Sequence, residues 1–197
     1  MPHYYEARQT SKFSPKEIKA ILRGKEFSFV TASGIFSVNQ VDKGTKTLVN
    51  YSEVDTNAKV LDLGCGYGVV GIVIKKCLPK TNVTMVDINE RAVKLAKQNA
   101  EKNNVQVNIF SGNLFEQVKE EKFDTILVNP PYVAGRELCY KIIEESIKHL
   151  NYKGTLQLVA RHNKGGAMLE KKMKEVFGNV ETLAKKAGYR VYKATNS

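Results

Sequence analysis

Val60-Leu61-Asp62-Leu63-Gly64-Cys65-Gly66-Tyr67-Gly68-Val69-Val70-Gly71-Ile72 reads as a buried strand, a glycine-rich turn and the first turn of a helix. The apolar run ends abruptly at Gly64, and a second apolar run resumes after Gly68 at helical length. Glycines at 64, 66 and 68 lack a Cβ, so a ligand can lie against the backbone there. The helix start beyond them offers unpaired N–H groups. Asp87 closes the next strand, Val83-Thr84-Met85-Val86, nineteen residues after Gly68. An acid at that position is placed to accept hydrogen bonds from ribose hydroxyls.

Outward from this stretch, strand and helix patterns alternate. Strands are predicted at 59–63, 82–87, 106–110, 123–128 and 154–160, with helices from about 69, over 90–103, about 136–149 and about 166–176. Helix 90–103 is the clearest, with Ala92, Val93, Leu95, Ala96 and Ala100 as its apolar stripe and Asn103-Asn104 as its stop. The alternation implies an α/β fold: a doubly wound, mainly parallel seven-stranded sheet with helices on both faces. Two last strands near 178–184 and 188–194, joined through Ala187-Gly188, make an antiparallel edge hairpin.

Upstream, residues 1–25 are polar. Ser14-Pro15 and Glu17 form a helix-start signature, which predicts a short helix there. Phe27–Thr31 and Gly34–Val38 read as two strands of a hairpin turning at Ala32-Ser33-Gly34, whose aromatic residues need cover. Asp42-Lys43-Gly44-Thr45 introduces a helix with Leu48 and Val49 inward. The chain therefore divides into an N-terminal extension, 1–44, packed on a catalytic domain, 45–197.

The 197 residues carry a net charge of +11. Residues 151–197 hold ten Lys and Arg against three acids, residues 44–150 are nearly neutral, and residues 1–43 carry seven against four. A basic end beside a neutral middle points to a polyanionic partner, nucleic acid first. No apolar run is long enough to span a bilayer, and the N-terminus has no signal-peptide core, so a cytoplasmic protein is expected. Cys65, Cys77 and Cys139 form no metal or disulfide pattern, and His3, His149 and His162 are scattered. No metal site is expected, and Cys65 reads as a small packing residue.

The other chemical signal is Asn129-Pro130-Pro131-Tyr132, directly after the strand 123–128. Two prolines cannot continue a central strand, so the chain stiffens and turns away at the strand's carboxyl end. The Asn129 side-chain carbonyl and the Pro130 backbone carbonyl then form a two-acceptor cradle for an NH2 group, and Tyr132 adds a ring for stacking. The glycines alone leave two ligands open, because Gly66, Gly68 and Gly71 also satisfy the dinucleotide fingerprint. Asp62 favours S-adenosylmethionine over NAD: it can meet a methionyl ammonium, whereas a carboxylate beside a pyrophosphate is repulsive.

Together Asp62-x-Gly64-x-Gly66-x-Gly68, Asp87 and Asn129-Pro130-Pro131-Tyr132 resemble a class I S-adenosylmethionine-dependent methyltransferase acting on planar nitrogens, with its Rossmann-like fold. Gly34-Ile35-Phe36-Ser37 and Val41-Asp42-x-Gly44-Thr45-x-x-Leu48 resemble the small-methyltransferase family of ribosomal RNA guanine-N2 methyltransferases, over about residues 26–160. The larger members of that family carry an additional N-terminal domain that this chain does not match. The resemblance implies that Asp62, Gly64 and Gly66 line the methionyl part of the cofactor, in a loop that also brings Cys65 and Gly68. It implies that Asp87 binds the ribose, that Ile88 packs on the adenine, and that Asn113, beside Leu114, meets the adenine amino group. It brings Thr45 to the methionyl carboxylate, although a threonine there equally suits a helix N-cap. The implied catalytic residues are Asn129, Pro130, Pro131 and Tyr132. The implied acceptor is guanine N2 in RNA, ribosomal RNA foremost. Adenine N6, a protein glutamine amide and, from another class, a non-catalytic NAD-binding module stay open on the residues alone, as does the oligomeric state. Residues 133–137 read as a substrate-side loop with Arg136 on its surface.

Overall fold

The computed structural model describes residues 6–197. Residues 1–5, His3 and the start of the polar segment among them, lie outside the described residues. The chain runs through a hairpin of β1 (Pro15–Leu22) and β2 (Lys25–Ala32), then α1 (Lys43–Tyr51), β3 (Lys59–Leu63), α2 (Val69–Cys77), β4 (Asn82–Asp87), α3 (Glu90–Lys102) and β5 (Asn108–Ser111). It continues with β6 (Phe123–Val128), α4 (Arg136–Ser146), β7 (Leu150–Arg161), α5 (Ala167–Phe177), β8 (Glu181–Lys186) and β9 (Tyr189–Thr195).

β3 to β9 form one seven-stranded sheet in the order β5-β4-β3-β6-β7-β9-β8. β3 pairs in parallel with β4 and with β6, and β4–β5 and β6–β7 are parallel as well; β9 is antiparallel to both β7 and β8. This is the doubly wound, Rossmann-like α/β fold with an antiparallel edge hairpin. β3 sits where the chain reverses its direction of travel across the sheet, so a crevice opens at the carboxyl ends of β3, β4 and β6. Two cores fill the faces. One gathers Leu48, Val60, Ile72, Met85 and Leu95 under α1, α2 and α3, and the other gathers Leu61, Phe123, Ile126, Ile143 and Tyr192 under α4 and α5. Gly71 permits the α2–β4 approach: a Cβ there would lie 2.6 Å from Met85 Sδ.

The N-terminal hairpin departs from the sequence reading. Pro15–Leu22 is a strand, not a helix, and pairs residue for residue with β2. The turn is Arg23-Gly24, with Gly24 at φ +74°, and residues 34–38 are turns and bends. Ile18 and Leu22 are buried with Phe27 and Phe29, a period-of-four spacing that a strand also produces. The local helix-start signal yields to burial of that face. The cover for Phe27 and Phe29 is α3, where fully buried Asn99 accepts from Val30 N at 2.7 Å and donates to Val30 O at 2.9 Å and Tyr67 O at 2.9 Å.

Smaller differences concern boundaries. α4 begins at Arg136, so Tyr132–Ala134 is a short 3₁₀ turn and the loop is shorter than 133–137. β7 starts four residues before the expected 154 and α4 stops at Ser146, with a 3₁₀ turn to His149.

Candidate active site

A cavity of about 480 Å³ occupies the crevice, within the usual range for a small-molecule site. Its walls come largely from the carboxyl ends of strands and the start of α1, with α2, α3, α4, residues 35–37 and Tyr189 at the start of β9 completing them. All of the site residues read from the sequence line it except Gly68, whose neighbours Tyr67 and Val69 do. Gly68 instead ends the loop in a left-handed conformation, φ +97°, and precedes α2.

The glycine loop is held by β4. Gly64 N and Cys65 N both donate to Val86 O, at 2.8 and 3.1 Å. Asp87 Oδ2 accepts from Gly66 N at 2.7 Å, and its Oδ1 accepts from Asn89 N at 2.8 Å. Asp87 thus braces the loop from the neighbouring strand, a role the sequence does not display. A Cβ added at Gly64 or Gly66 would meet nothing within 4 Å, so both backbones face open space in the cavity.

Asp62 is buried at 2% exposure and accepts from Gly71 N at 2.9 Å. Burial, partly offset by that hydrogen bond, pushes its carboxyl up to about 7, and nearby Asp87 adds to the rise. Burial raises Asp87 too. Two acids that resist ionisation in one cavity favour a positively charged guest and one bearing hydroxyl donors. Ile88 and Leu114 supply apolar surface beside them, and Asn113 stands exposed at the rim. Cys65 is buried with its thiol raised well above the ordinary range, which makes it inert as a nucleophile.

On the other wall, Asn129 Nδ2 donates to Thr45 Oγ1 at 2.9 Å and to Asp42 Oδ2 at 3.3 Å. An ionised carboxylate only accepts, so the NH2 end of Asn129 must face it and Oδ1 must face away. Among the described residues none donates to Asn129 Oδ1. Asp42, not Thr45, is the N-cap of α1, accepting from Thr45 N at 3.0 Å. The Asp42–Thr45 pair thus ties the start of α1 to the loop after β6, a link with no signal in either motif alone. Pro130 O accepts from Tyr132 N at 3.0 Å and keeps its second lone pair. Among the described residues the buried Tyr132 hydroxyl has no partner, and burial pushes its pKa up, which holds it protonated. Arg136 is exposed over the Tyr140 ring, 5.8 Å from its centroid.

The donors and acceptors fit S-adenosylmethionine: glycine backbones open to a ligand, a buried acid for an ammonium, a second acid for ribose hydroxyls and an apolar slot for adenine. Among the described residues no group of three His, Cys, Asp or Glu could hold a metal, and no helix is long and apolar enough to cross a membrane.

Comparison with known proteins agrees with this chemistry. Residues 26–193 match the methyltransferase small domain family. The uncharacterized protein YbxB of Bacillus subtilis is 36% identical over 195 residues, 98% of this chain and 97% of that protein. Ribosomal RNA small subunit methyltransferase C of Haemophilus influenzae is 34% identical over 178 residues, 87% of this chain but 52% of its own length. The chain therefore spans about half the length of that relative. A solved T. thermophilus structure, the 16S rRNA N2 methyltransferase RsmC in complex with AdoMet and guanosine, is 23% identical. It superposes with a TM-score of 0.82 over 96% of this chain and 52% of that one, which shows the shared fold. The chain belongs to the methyltransferase small domain family and is an S-adenosylmethionine-dependent methyltransferase.

Proposed function

We propose that the chain methylates the exocyclic N2 of guanine in RNA, with ribosomal RNA in the cytoplasm as the first candidate. The observation that carries this reading is the amide of Asn129 in the cavity wall, its NH2 end held by Thr45 and Asp42 and its carbonyl oxygen left to accept from an acceptor amine, with Pro130 lining the same cavity. The names of the methyltransferase C relatives support RNA as acceptor.

When bound, S-adenosylmethionine supplies an electrophilic methyl group on a sulfonium. The glycine loop Gly64–Gly68 and Asp62 take its methionyl end, and the Thr45 side of the cavity closes over that end. Asp87 takes the ribose, and Ile88, Asn113 and Leu114 take the adenine. Asn129 Oδ1 and Pro130 O accept the two N–H bonds of the acceptor amine. A conjugated amine is a poor nucleophile, and these two bonds favour its pyramidal form as positive charge develops on nitrogen. Donation from Asn129 Nδ2 to Asp42 polarises the amide and strengthens its oxygen as an acceptor. Tyr132 stacks on the base, which must be unstacked from its neighbours to enter. In the N-terminal extension residues 6–44 serve this domain as cover: the hairpin packs on α3, and Asp42 braces Asn129.

The cradle fits any planar NH2 group, including adenine N6 and a glutamine amide. The test is transfer of labelled methyl to separate pools of RNA, DNA and protein from cells lacking this gene. Label recovered as N2-methylguanine is expected, and label recovered only from protein overturns the proposal.

A further inference from the structure

The charge excess of residues 151–197 is unevenly spent. Their three acids are all engaged: Glu175 and Glu181 pair with Lys172 and Lys193 at 2.9 and 3.0 Å, and Glu170 lies 4.0 Å from His162. Among the described residues Arg161, Lys164 and Lys186 have no ion pair. Arg161 and Lys164 line the mouth of the cavity. Lys186 pairs in register with Tyr189, which also lines it. Aromatic rings hold two of these cations: Arg161 sits 5.6 Å from the Tyr189 ring centroid and Lys186 5.7 Å from that of Tyr51. Lysines on an edge strand such as β8 also discourage sheet-to-sheet pairing. That role does not account for Arg161 and Lys164, which sit at the end of an interior strand and in the turn after it.

The turn itself is fitted to the catalytic loop. Lys164 has non-helical angles, Gly165 has φ +92°, and a Cβ on Gly165 would lie 3.6 Å from Tyr132 Cε1. The segment carrying Lys164 therefore rests against the ring that follows Asn129-Pro130-Pro131. Next to that ring Val133 is 67% exposed and also lines the cavity. Uncompensated cations and exposed apolar surface thus share one mouth.

We infer that Arg161, Lys164 and Lys186 form a phosphate-binding rim for the single-stranded RNA flanking the target nucleotide, with Val133 meeting a neighbouring base. This rests on the reading above that RNA is the acceptor. A single strand offers phosphates at one edge and base faces at the other, which is the pairing of chemistries this mouth presents. A folded acidic protein would meet the cations but has no unstacked ring for the cavity beside them.

The test is anisotropy of a fluorescein-labelled single-stranded RNA, titrated with the full chain between about 50 and 200 mM salt. In K164A/K186A the slope of log affinity against log salt is expected to flatten by about 0.7 per lysine removed. The KM for RNA is expected to rise about tenfold, with kcat changed less than about twofold, as for lost ground-state contacts. K97A, on the exposed face of α3, keeps the wild-type slope. An unchanged slope in K164A/K186A, with RNA still methylated, overturns the rim and leaves the guanine reading standing. If the wild type neither binds nor labels RNA and labels a protein instead, both fall together.

Discussion

Asn129 donates its side-chain NH2 to Thr45 Oγ1 at 2.9 Å, joining a residue of the β6 loop to one in the first turn of α1, 84 positions earlier. Together with the bond to the Asp42 carboxylate, which only accepts, it fixes which end of the amide meets the acceptor. Asn129→Ala is expected to lower turnover at least about tenfold, since one oriented polar group in a transition state is worth that much or more. Cofactor affinity by calorimetry stays within about threefold. Equal turnover would remove Asn129 from the chemistry.

Thr45→Val and Asp42→Asn test the orientation itself. Valine cannot accept from Asn129, and an asparagine at 42 can donate, which permits the wrong end of the amide to face it. Both are expected to reduce kcat several-fold, and Thr45→Ser restores it. Asparagine caps a helix about as well as aspartate, so Asp42→Asn keeps the α1 cap, and kcat is compared on folded protein below the melting range. Recovery in Thr45→Ser separates positioning from simple loosening.

Asp62 gives the cofactor site a pH dependence. Its carboxyl is raised to about 7 by burial, so below that pH it is mostly protonated and offers no charge to an ammonium. Cofactor affinity is expected to rise with pH to about 7 and then level. The same shift acts oppositely on folding. The native state holds a proton that the unfolded state releases near 4, so this group's contribution to stability declines as pH rises from about 4 to 7. Asp62→Asn flattens both profiles. An affinity profile with the wild-type slope in that variant would show another group to be responsible.

Asp87→Ala removes an acceptor for a ligand and also the brace on Gly66 N. A loss of cofactor affinity of about tenfold or more is expected by calorimetry, together with faster amide exchange at Gly66. Unchanged affinity would refute the ribose assignment.

Gly71→Ala inserts a Cβ where 2.6 Å separates it from Met85 Sδ. Overpacking of this kind costs about 1–3 kcal/mol, measured as a lower denaturant midpoint. A midpoint equal to the wild type would mean that α2 can shift away from β4 without penalty.

The centre of the sheet was legible because β3, β4 and β6 are mainly apolar runs that end at glycine, proline or charge, and because Gly64–Gly68 and Asn129–Pro131 stand at strand ends. The hairpin at the edge was legible from Ala187-Gly188. The N-terminal hairpin was misread because Ser14-Pro15 and Glu17 imitate a helix start, while the residues that decide the matter, Phe27 and Phe29, find their cover 70 positions away on α3. For the site, the acids and glycines announce themselves by their place in a motif. Asp42's hold on Asn129 and Asp87's hold on Gly66 do not, because each partner supplies a backbone or amide group that any sequence position could offer.

One buried side chain makes the hairpin and the cofactor loop a single thermodynamic unit. Asn99 grips both chain polar groups of Val30 and, with the same NH2, the carbonyl of Tyr67 between two loop glycines. Whatever steadies Tyr67 steadies the hairpin, and linkage makes the effect mutual. Cofactor binding should slow hydrogen exchange at Val30, on a strand that touches no ligand, and a frayed hairpin should weaken the hold on cofactor by the same factor.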